Sequence, residues 1–238
     1  MNFTINKRYF YEKLSVVSRA ISVFSPLPAF SGVKIDVSAT QIVLTGSDSD
    51  ISIRSTILPD EDNQLTINDI GSIVIEAKYI LEIVRKIEGD VIEIEILDDT
   101  LTRISGTNAQ FKINGMKSTD YPAIDFSQPR ESFQISSEVL KEIITQTSFA
   151  TSDRETRPVL TGVNFSCQDH QLQCVATDSY RLAKKLVPID ATVSFNITIP
   201  SKSLQEVLKS IGEEENVMLY VDHKKAQFLI DHTIIQTR

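Results

Sequence analysis

Pro28-Ala-Phe-Ser-Gly-Val-Lys-Ile35 and Pro158-Val-Leu-Thr-Gly-Val-Asn-Phe165 are one pattern written twice, 130 positions apart. Working outward in that register, Gln41 falls on Gln171, Ile42 on Leu172, and Asp48-Ser49 on Asp178-Ser179. Upstream, Phe10, Leu14 and Ala20 fall on Leu140, Ile144 and Ala150. At an offset of 124, Ile75, Lys78, Ile80, Glu82, Ile83, Val84, Arg85 and Ile87 overlay Ile199, Lys202, Leu204, Glu206, Val207, Leu208, Lys209 and Ile211. A repeat this long copies a whole folding unit rather than a solenoid module. The shared positions are mostly apolar and turn residues, with a cation pair recurring on the second helix of each copy. Two copies of one scaffold build a composite surface, which points away from a single catalytic pocket.

At 238 residues and 41% hydrophobic content, the chain fills two cores of about 120 residues each. It has no apolar run near the ~18 residues of a membrane helix and no signal-peptide pattern at its start, so a soluble cytoplasmic protein is expected, with no membrane partner. Cys167 and Cys174, the only cysteines, lie in consecutive strand-like runs and read as buried free thiols, one disulfide being the alternative.

The same order of elements occurs four times. Asn2–Ile5 alternates like a strand, and Lys7–Ala20 has helical periodicity, with Phe10, Leu14, Val17 and Ile21 on one face. Strands follow at Val33–Val37, Ile42–Gly46 and Ile51–Ser55. The second quarter runs Ile73–Glu76, helix Ala77–Ile87, Val91–Leu97, Leu101–Ile104 and Gln110–Ile113. The other half repeats this: Phe133–Ile135, helix Ser137–Ala150 and three strands, then Phe195–Ile199, helix Lys202–Ile211 and three more. Gly115, Pro122 and Pro129 mark a break. The domains are therefore 1–120 and 133–238, joined by a linker at 121–132. Antiparallel strands interrupted by helices indicate an α+β class: two similar domains, each of two strand-helix-three-strand units.

The net charge of −8 argues against a nucleic-acid partner until it is mapped. The four expected helices hold ten Lys/Arg and five Asp/Glu, so they carry +5 while the remainder carries −13. Opposite the apolar faces stand Arg8, Glu12, Ser15 and Arg19, then Lys78, Glu82, Arg85 and Lys86, then Lys202, Glu206 and Lys209. A positive helix surface on an acidic body can approach phosphates; mixed Lys/Glu is also what an ordinary solvated helix shows. The third helix, with Glu138, Lys141 and Glu142, departs from the pattern.

No catalytic constellation emerges. His170, His223 and His232 lack metal spacing, and Asp60-Glu-Asp-Asn63 and Glu213-Glu-Glu-Asn216 lack the glycine turn and terminal Glu of a calcium loop. There is no glycine-rich phosphate loop and no nucleophile elbow. No catalytic residue, metal or cofactor is expected.

One motif remains, Val175-Ala-Thr-Asp-Ser-Tyr-Arg-Leu-Ala183. Thr, Asp and Ser favour a side-chain-capped turn. Beyond it, Tyr180, Arg181 and Leu182 read either as an ordinary hairpin rim or as an apolar notch edged by hydrogen-bonding groups, suited to an extended peptide. Together with Glu155-Thr-Arg-Pro-Val-Leu-Thr-Gly-Val163, this motif resembles the second domain of the bacterial beta sliding clamps, the processivity subunits of DNA polymerase III. Gly46-Ser-Asp-Ser-Asp-Ile51 and Thr119-Asp-Tyr-Pro122 resemble the first domain. The resemblance covers the whole chain.

It implies the DNA-clamp fold and a non-catalytic role in DNA replication. In that family three similar domains form each chain, and two chains close head to tail around duplex DNA with helices inward. The ring tethers the replicative polymerase, and clamp-loader subunits are its other implied partners. The third domain is missing from these 238 residues, so the usual ring is expected to be unavailable and peptide binding weakened. The resemblance places Arg85 and Lys202 on pore-facing helices and Arg154 in an adjoining loop. Arg8, Arg19, Lys78, Lys86 and Lys209 complete the expected DNA-facing set, and Phe24 stands where relatives have an Arg. The implied peptide pocket uses Leu160, Thr177, Ser179, Tyr180, Arg181 and Leu182, with Tyr180 where the family commonly has His. Two other classes compete: a peptide-binding scaffold that never meets nucleic acid, and a nucleic-acid-processing enzyme with an unrecognised site.

Overall fold

The structure is a computed structural model that describes residues 1–22, 25, 27–154 and 156–238. Phe24 and Glu155, both singled out in the sequence, lie outside the described residues. The chain divides into two units, Met1–Ile124 and Asp125–Arg238.

Unit 1 runs β1 (Asn2–Asn6), α1 (Lys7–Ser18), β2 (Gly32–Val37), β3 (Ile42–Ser47), β4 (Ile51–Ile57), β5 (Thr66–Asp69), β6 (Gly71–Glu76), α2 (Ala77–Lys86), β7 (Val91–Asp98), β8 (Leu101–Ser105) and β9 (Gln110–Asn114). Its strands pair antiparallel in the orders β5-β1-β7-β8-β9 and β4-β3-β2-β6. Unit 2 runs β10 (Glu131–Ser136), α3 (Ser137–Thr147), β11 (Gly162–Gln168), β12 (Gln171–Thr177), β13 (Leu182–Pro188), β14 (Phe195–Pro200), α4 (Ser201–Ser210), β15 (Asn216–Val221), β16 (Ala226–Ile230) and β17 (Thr233–Thr237). Its orders are β10-β15-β16-β17 and β13-β12-β11-β14, all antiparallel. Four strand-helix-three-strand units are present, as the repeat predicts. β5 is an addition that the sequence pattern does not reveal, because Thr66-Ile-Asn-Asp69 is nearly all polar and lies largely exposed at a sheet edge.

Shared residues perform the same local work in both copies. Asn6 and Ser136 cap α1 and α3 by accepting from the backbone N–H groups of Tyr9 (3.0 Å) and Val139 (3.2 Å). The repeated Pro-x-x-Ser/Thr-Gly pattern is a one-turn 3-10 helix. Proline sets its first φ, and the hydroxyls of Ser31 and Thr161 donate back to the carbonyls of Pro28 (2.7 Å) and Pro158 (2.8 Å). The following glycine is required by close approach: a Cβ on Gly162 would stand 2.5 Å from the carbonyl oxygen of Ile199 on the neighbouring strand.

Each helix lays its apolar face on a sheet. α1 buries Phe10, Leu14 and Val17, and the Phe10 ring meets Phe3 edge-on at 5.9 Å. α2 buries Ile80 and Val84, α3 Leu140, Ile143 and Ile144, and α4 Leu204 and Val207. Each such side chain contributes roughly 1.5–3 kcal/mol relative to exposure, so the opposite faces are free to carry charge. Cys167 and Cys174 are free, buried and diagonal on β11 and β12, where their register partners are Leu172 and Phe165.

The stretch at 121–132, read from its prolines as a linker, is anchored rather than loose. Tyr121 is buried in unit 1 with Ala29, Phe30 and Val74, and Ile124 packs against the same cluster. The next residue already belongs to unit 2, where Asp125 pairs with Lys225 at 3.3 Å. There too, Gln227 Nε2 donates to the carbonyls of Phe126 and Ser127. β10 then begins at Glu131, inside the expected linker. Among the described residues no helix is long and apolar enough to cross a membrane.

Candidate nucleic-acid face and peptide site

The solvent faces of the helices carry most of the predicted cations. α1 exposes Arg8, whose Nε meets Glu12 Oε1 at 3.1 Å. α2 exposes Lys78, Glu82, Arg85 and Lys86, and Glu82 bridges Arg85 (2.8 Å) and Lys86 (2.9 Å). Hydrogen bonds from Lys86 and then Arg85 hold the Glu82 carboxyl below its ordinary range, and the bond to Glu82 raises Arg85. α4 exposes Lys202 and Lys209, the latter 2.8 Å from Glu206. Arg19 differs from the expectation of a fully solvent-facing cation: it lies just past α1 as the C-cap and is half-buried, with its Nε shielded.

Within the observed bounds α1 and α2 each carry +2, α4 carries +1 and α3 carries −1. The positive helix surface is therefore concentrated in unit 1. Exposed pairs of this kind add little to stability, because water and salt screen them. Their effect is to hold guanidinium and ammonium groups along the helix while leaving net positive charge, which attracts phosphate without reading bases.

The second candidate is the β12–β13 turn. Thr177 Oγ1 accepts from Ser179 N (3.1 Å) and donates to the Arg181 carbonyl (2.7 Å). Asp178 Oδ1 accepts from Tyr180 N (2.9 Å) and Arg181 N (3.0 Å), while its Oδ2 receives Arg181 Nε at 3.0 Å. The N–H groups of Tyr180 and Arg181 lead in lowering the Asp178 pKa. Ser179 sits at a φ of 80° to complete the turn. The outcome is an outward display, with Tyr180 98% and Leu182 65% exposed and the Arg181 guanidinium 5.7 Å from the Phe149 ring centroid.

Beside this turn lies an open cleft of about 450 Å³. Of the residues expected in a peptide pocket, Leu160, Ser179, Tyr180 and Arg181 line it. Thr177 does not, its hydroxyl being used inside the turn, and Leu182 lies alongside at the start of β13. Arg154, expected in the DNA-facing set from a loop adjoining the helices, lines this cleft. Arg157 lines it as well, and exposed Phe149 and Val159 border it on adjacent turns. Sequence reasoning gave these three no role: an isolated Arg has no spacing signal, and no periodicity marks Phe149 or Val159 as exposed. No group of three or more His, Cys, Asp or Glu able to hold a metal occurs among the described residues.

The family model for the N-terminal domain of the DNA polymerase III beta subunit matches residues 1–125, and that for its central domain matches residues 134–238. The chain belongs to the DNA polymerase III beta subunit family. Among curated relatives, the Beta sliding clamp of Halalkalibacterium halodurans is 39% identical, covering 100% of this chain and 64% of its own length. Among solved structures, the DNA polymerase sliding clamp of Bacillus subtilis superposes with a TM-score of 0.96 at 37% identity. The DNA polymerase III beta chain of Streptococcus pneumoniae does so with 0.96 at 32%. In both cases the match covers 100% of this chain and 64% of the other. The chain thus spans less than two-thirds of the length of these DNA polymerase III beta subunits, and its α+β architecture is the sliding-clamp fold. Within that fold, the division after Ile124 falls at the end of the N-terminal family match.

Proposed function

We propose that this chain supplies the N-terminal and central domains of a DNA sliding clamp, a non-catalytic processivity factor that holds a replicative polymerase on duplex DNA in the cytoplasm. The observation that carries this is the match of both domain families, in order, along nearly the whole chain. The charge supports it: α1 and α2 are basic within a chain of net charge −8. Contact through Arg8, Arg19, Lys78, Arg85, Lys86, Lys202 and Lys209 would be weak, spread over many phosphates and indifferent to sequence, which permits sliding. The cleft beside Tyr180 would receive an extended segment of the polymerase or of a clamp-loader subunit, raising its effective concentration at the primer end. A head-to-tail ring of two chains belongs to the same proposal for the whole protein.

The test is primer extension on a long single-primed template with replicative polymerase, loader and the whole protein to which this chain belongs. Longer products on addition of the protein, lost when Arg85→Glu and Lys202→Glu are combined, are the expected result. Unchanged product length with the unsubstituted protein overturns the proposal. Duplex-DNA binding that survives both charge reversals excludes the helix faces as the contact.

A further inference from the structure

Three of the six tyrosines lie on the two helices of unit 1: Tyr9 and Tyr11 on α1, and Tyr79 on α2. α3 and α4 carry no aromatic residue. In the register of the repeat, Tyr9, Tyr11 and Tyr79 fall on Val139, Lys141 and Ser203. The shared scaffold therefore accepts an aliphatic side chain, a cation or a small hydroxyl at these places and has no need of a phenol. Core packing has none either. Phe10 points into the core, and Tyr9 and Tyr11 stand about 100° to either side of it on the helix, half-buried. Tyr79 is 49% exposed. Among the described residues none of the three hydroxyls has a hydrogen-bond partner.

The rings are interleaved with cations. Lys13 Nζ, one turn beyond Tyr9, lies 5.4 Å from the centroid of that ring, and Lys78 Nζ lies 5.8 Å from that of Tyr79. Tyr11 lies toward α2: after the bond and the charge of Glu82, its phenol adds to the field that raises Arg85. α1 and α2 pack side by side and carry +4 between them, against zero on α3 and α4. Positive charge and exposed aromatic surface thus coincide on the helices of unit 1, and the helices of unit 2 have neither a net charge nor a ring.

A duplex cannot use that combination. Its phosphates answer the cations, but its base faces cover one another and only their edges reach the grooves. An unpaired strand offers both, base faces to the rings and phosphates to the ammonium and guanidinium groups. We propose that the α1–α2 face of unit 1 binds single-stranded DNA, with bases stacked on Tyr9, Tyr11 and Tyr79 and phosphates on the cations between them. This rests on the clamp reading above and adds a second form of DNA, the unpaired template that begins where a primer ends.

The experiment measures fluorescence anisotropy of three labelled probes with the same number of phosphates: a dT strand, an abasic strand and a blunt hairpin duplex. The protein is expected to bind the dT strand about tenfold more tightly than the abasic one. A Tyr9→Leu, Tyr11→Leu, Tyr79→Leu triple variant keeps apolar area and helix propensity. It should erase that preference and change duplex binding by less than about twofold. The corresponding Tyr→Phe triple variant should keep the preference, because the ring and not the hydroxyl stacks. Equal affinity of the unsubstituted protein for the two strands overturns the proposal, needs no variant, and leaves a duplex-binding clamp standing. A preference that survives the Tyr→Leu changes overturns it as well. So does a preference lost with Tyr→Phe, since hydroxyl bonds rather than stacking would then hold the strand. Duplex binding lost together with the dT preference in the Tyr→Leu variant assigns the rings to the duplex contact and overturns it too. Failure of the unsubstituted protein to bind any of the three probes removes the clamp reading and the proposal together.

Discussion

In unit 1 Ser47 and Asp48 close the β3–β4 turn; in unit 2 Thr177 and Asp178 close the β12–β13 turn with the same bonds. Ser47 Oγ accepts from Ser49 N and donates to the Ile51 carbonyl, as Thr177 Oγ1 does for Ser179 and Arg181. Asp48 Oδ1 takes the N–H groups of Asp50 and Ile51, as Asp178 takes those of Tyr180 and Arg181. Ser49 and Ser179 share a positive φ, 87° and 80°. Beyond these atoms the copies part. Ser52 is 6% exposed and shares a 2.8 Å hydroxyl contact with Ser47, whereas its counterpart Leu182 stands in solvent. Ala29 and Phe30 are buried, with Tyr121 5.3 Å from Phe30, whereas their counterpart positions carry exposed Val159 and half-exposed Leu160. Unit 1 closes this region with its own chain, and unit 2 presents it. What the copies share is scaffold, and what distinguishes them is surface chemistry.

If that division holds, the largest loss of stability comes from a shared residue. Gly162→Ala drives a Cβ into the Ile199 backbone and is expected to cost about 2–4 kcal/mol, read as a lower melting temperature or denaturation midpoint. A neutral result would mean that the repeated glycine is not a packing requirement. The reciprocal test places Asp at the two counterpart positions. Ser52→Asp buries a carboxylate and should destabilise unit 1 by about 2 kcal/mol or more. Leu182→Asp should leave melting unchanged yet weaken peptide binding more than about tenfold. Equal melting losses from the two substitutions would erase the distinction.

Acid gives a smaller effect with a definite sign. The Asp178 pKa is lowered in the folded state, and that of Asp125 is pushed down to about 2, first by Ser127 N–H and then by the hydroxyl of Ser127 and by Lys225. Groups depressed in this way contribute stability above the ordinary carboxylate pKa of about 4 and lose it as pH falls through the folded value. Resonances of Asp125, Ser127 and Lys225 are therefore expected to hold their positions down to pH about 3 and then to move together with a midpoint of about 2. Asp125→Asn should remove that transition. The smallest expected change is from Ser49→Gly and Ser179→Gly, which relieve positive φ against added chain entropy. Each should alter stability by about 0.5 kcal/mol or less, in the same direction in both copies. Opposite signs would show that the two turns are not equivalent.

Much of this was legible from Pro28–Ile35 and Pro158–Phe165, because a duplicated packing requirement leaves the same residues at the same spacing. Apolar periodicity located all four helices, since Phe10, Leu14 and Val17 must share one face. β5 was not legible: a short exposed edge strand buries too little for alternation to appear. The Thr177–Leu182 turn announced itself through side chains that bond their own backbone. Arg157 and Phe149 did not, and Arg154 was named only through the resemblance, because they reach the cleft through the 152–160 loop and a 3-10 turn at Ser148–Ala150, and neither leaves a periodic trace. The charge count showed the bias as well as the basic helices, because the sequence bounds already put all of the net charge on the first two helices, and the observed bounds keep it there as +4 on α1 and α2 together against zero on α3 and α4.

The two cysteines have a practical consequence. Both lie in unit 2, and burial pushes the Cys174 thiol up to about 12 and raises Cys167 as well, so neither offers an appreciable thiolate at neutral pH. Alkylating reagents can reach them only when the β11–β12 hairpin opens, so the rate of modification becomes a clock for that opening. Unit 1 contains no thiol and leaves no mark on the signal. The unmodified chain therefore carries a native reporter on one of its two similarly folded halves, able to time the breathing of one copy while the other stays silent.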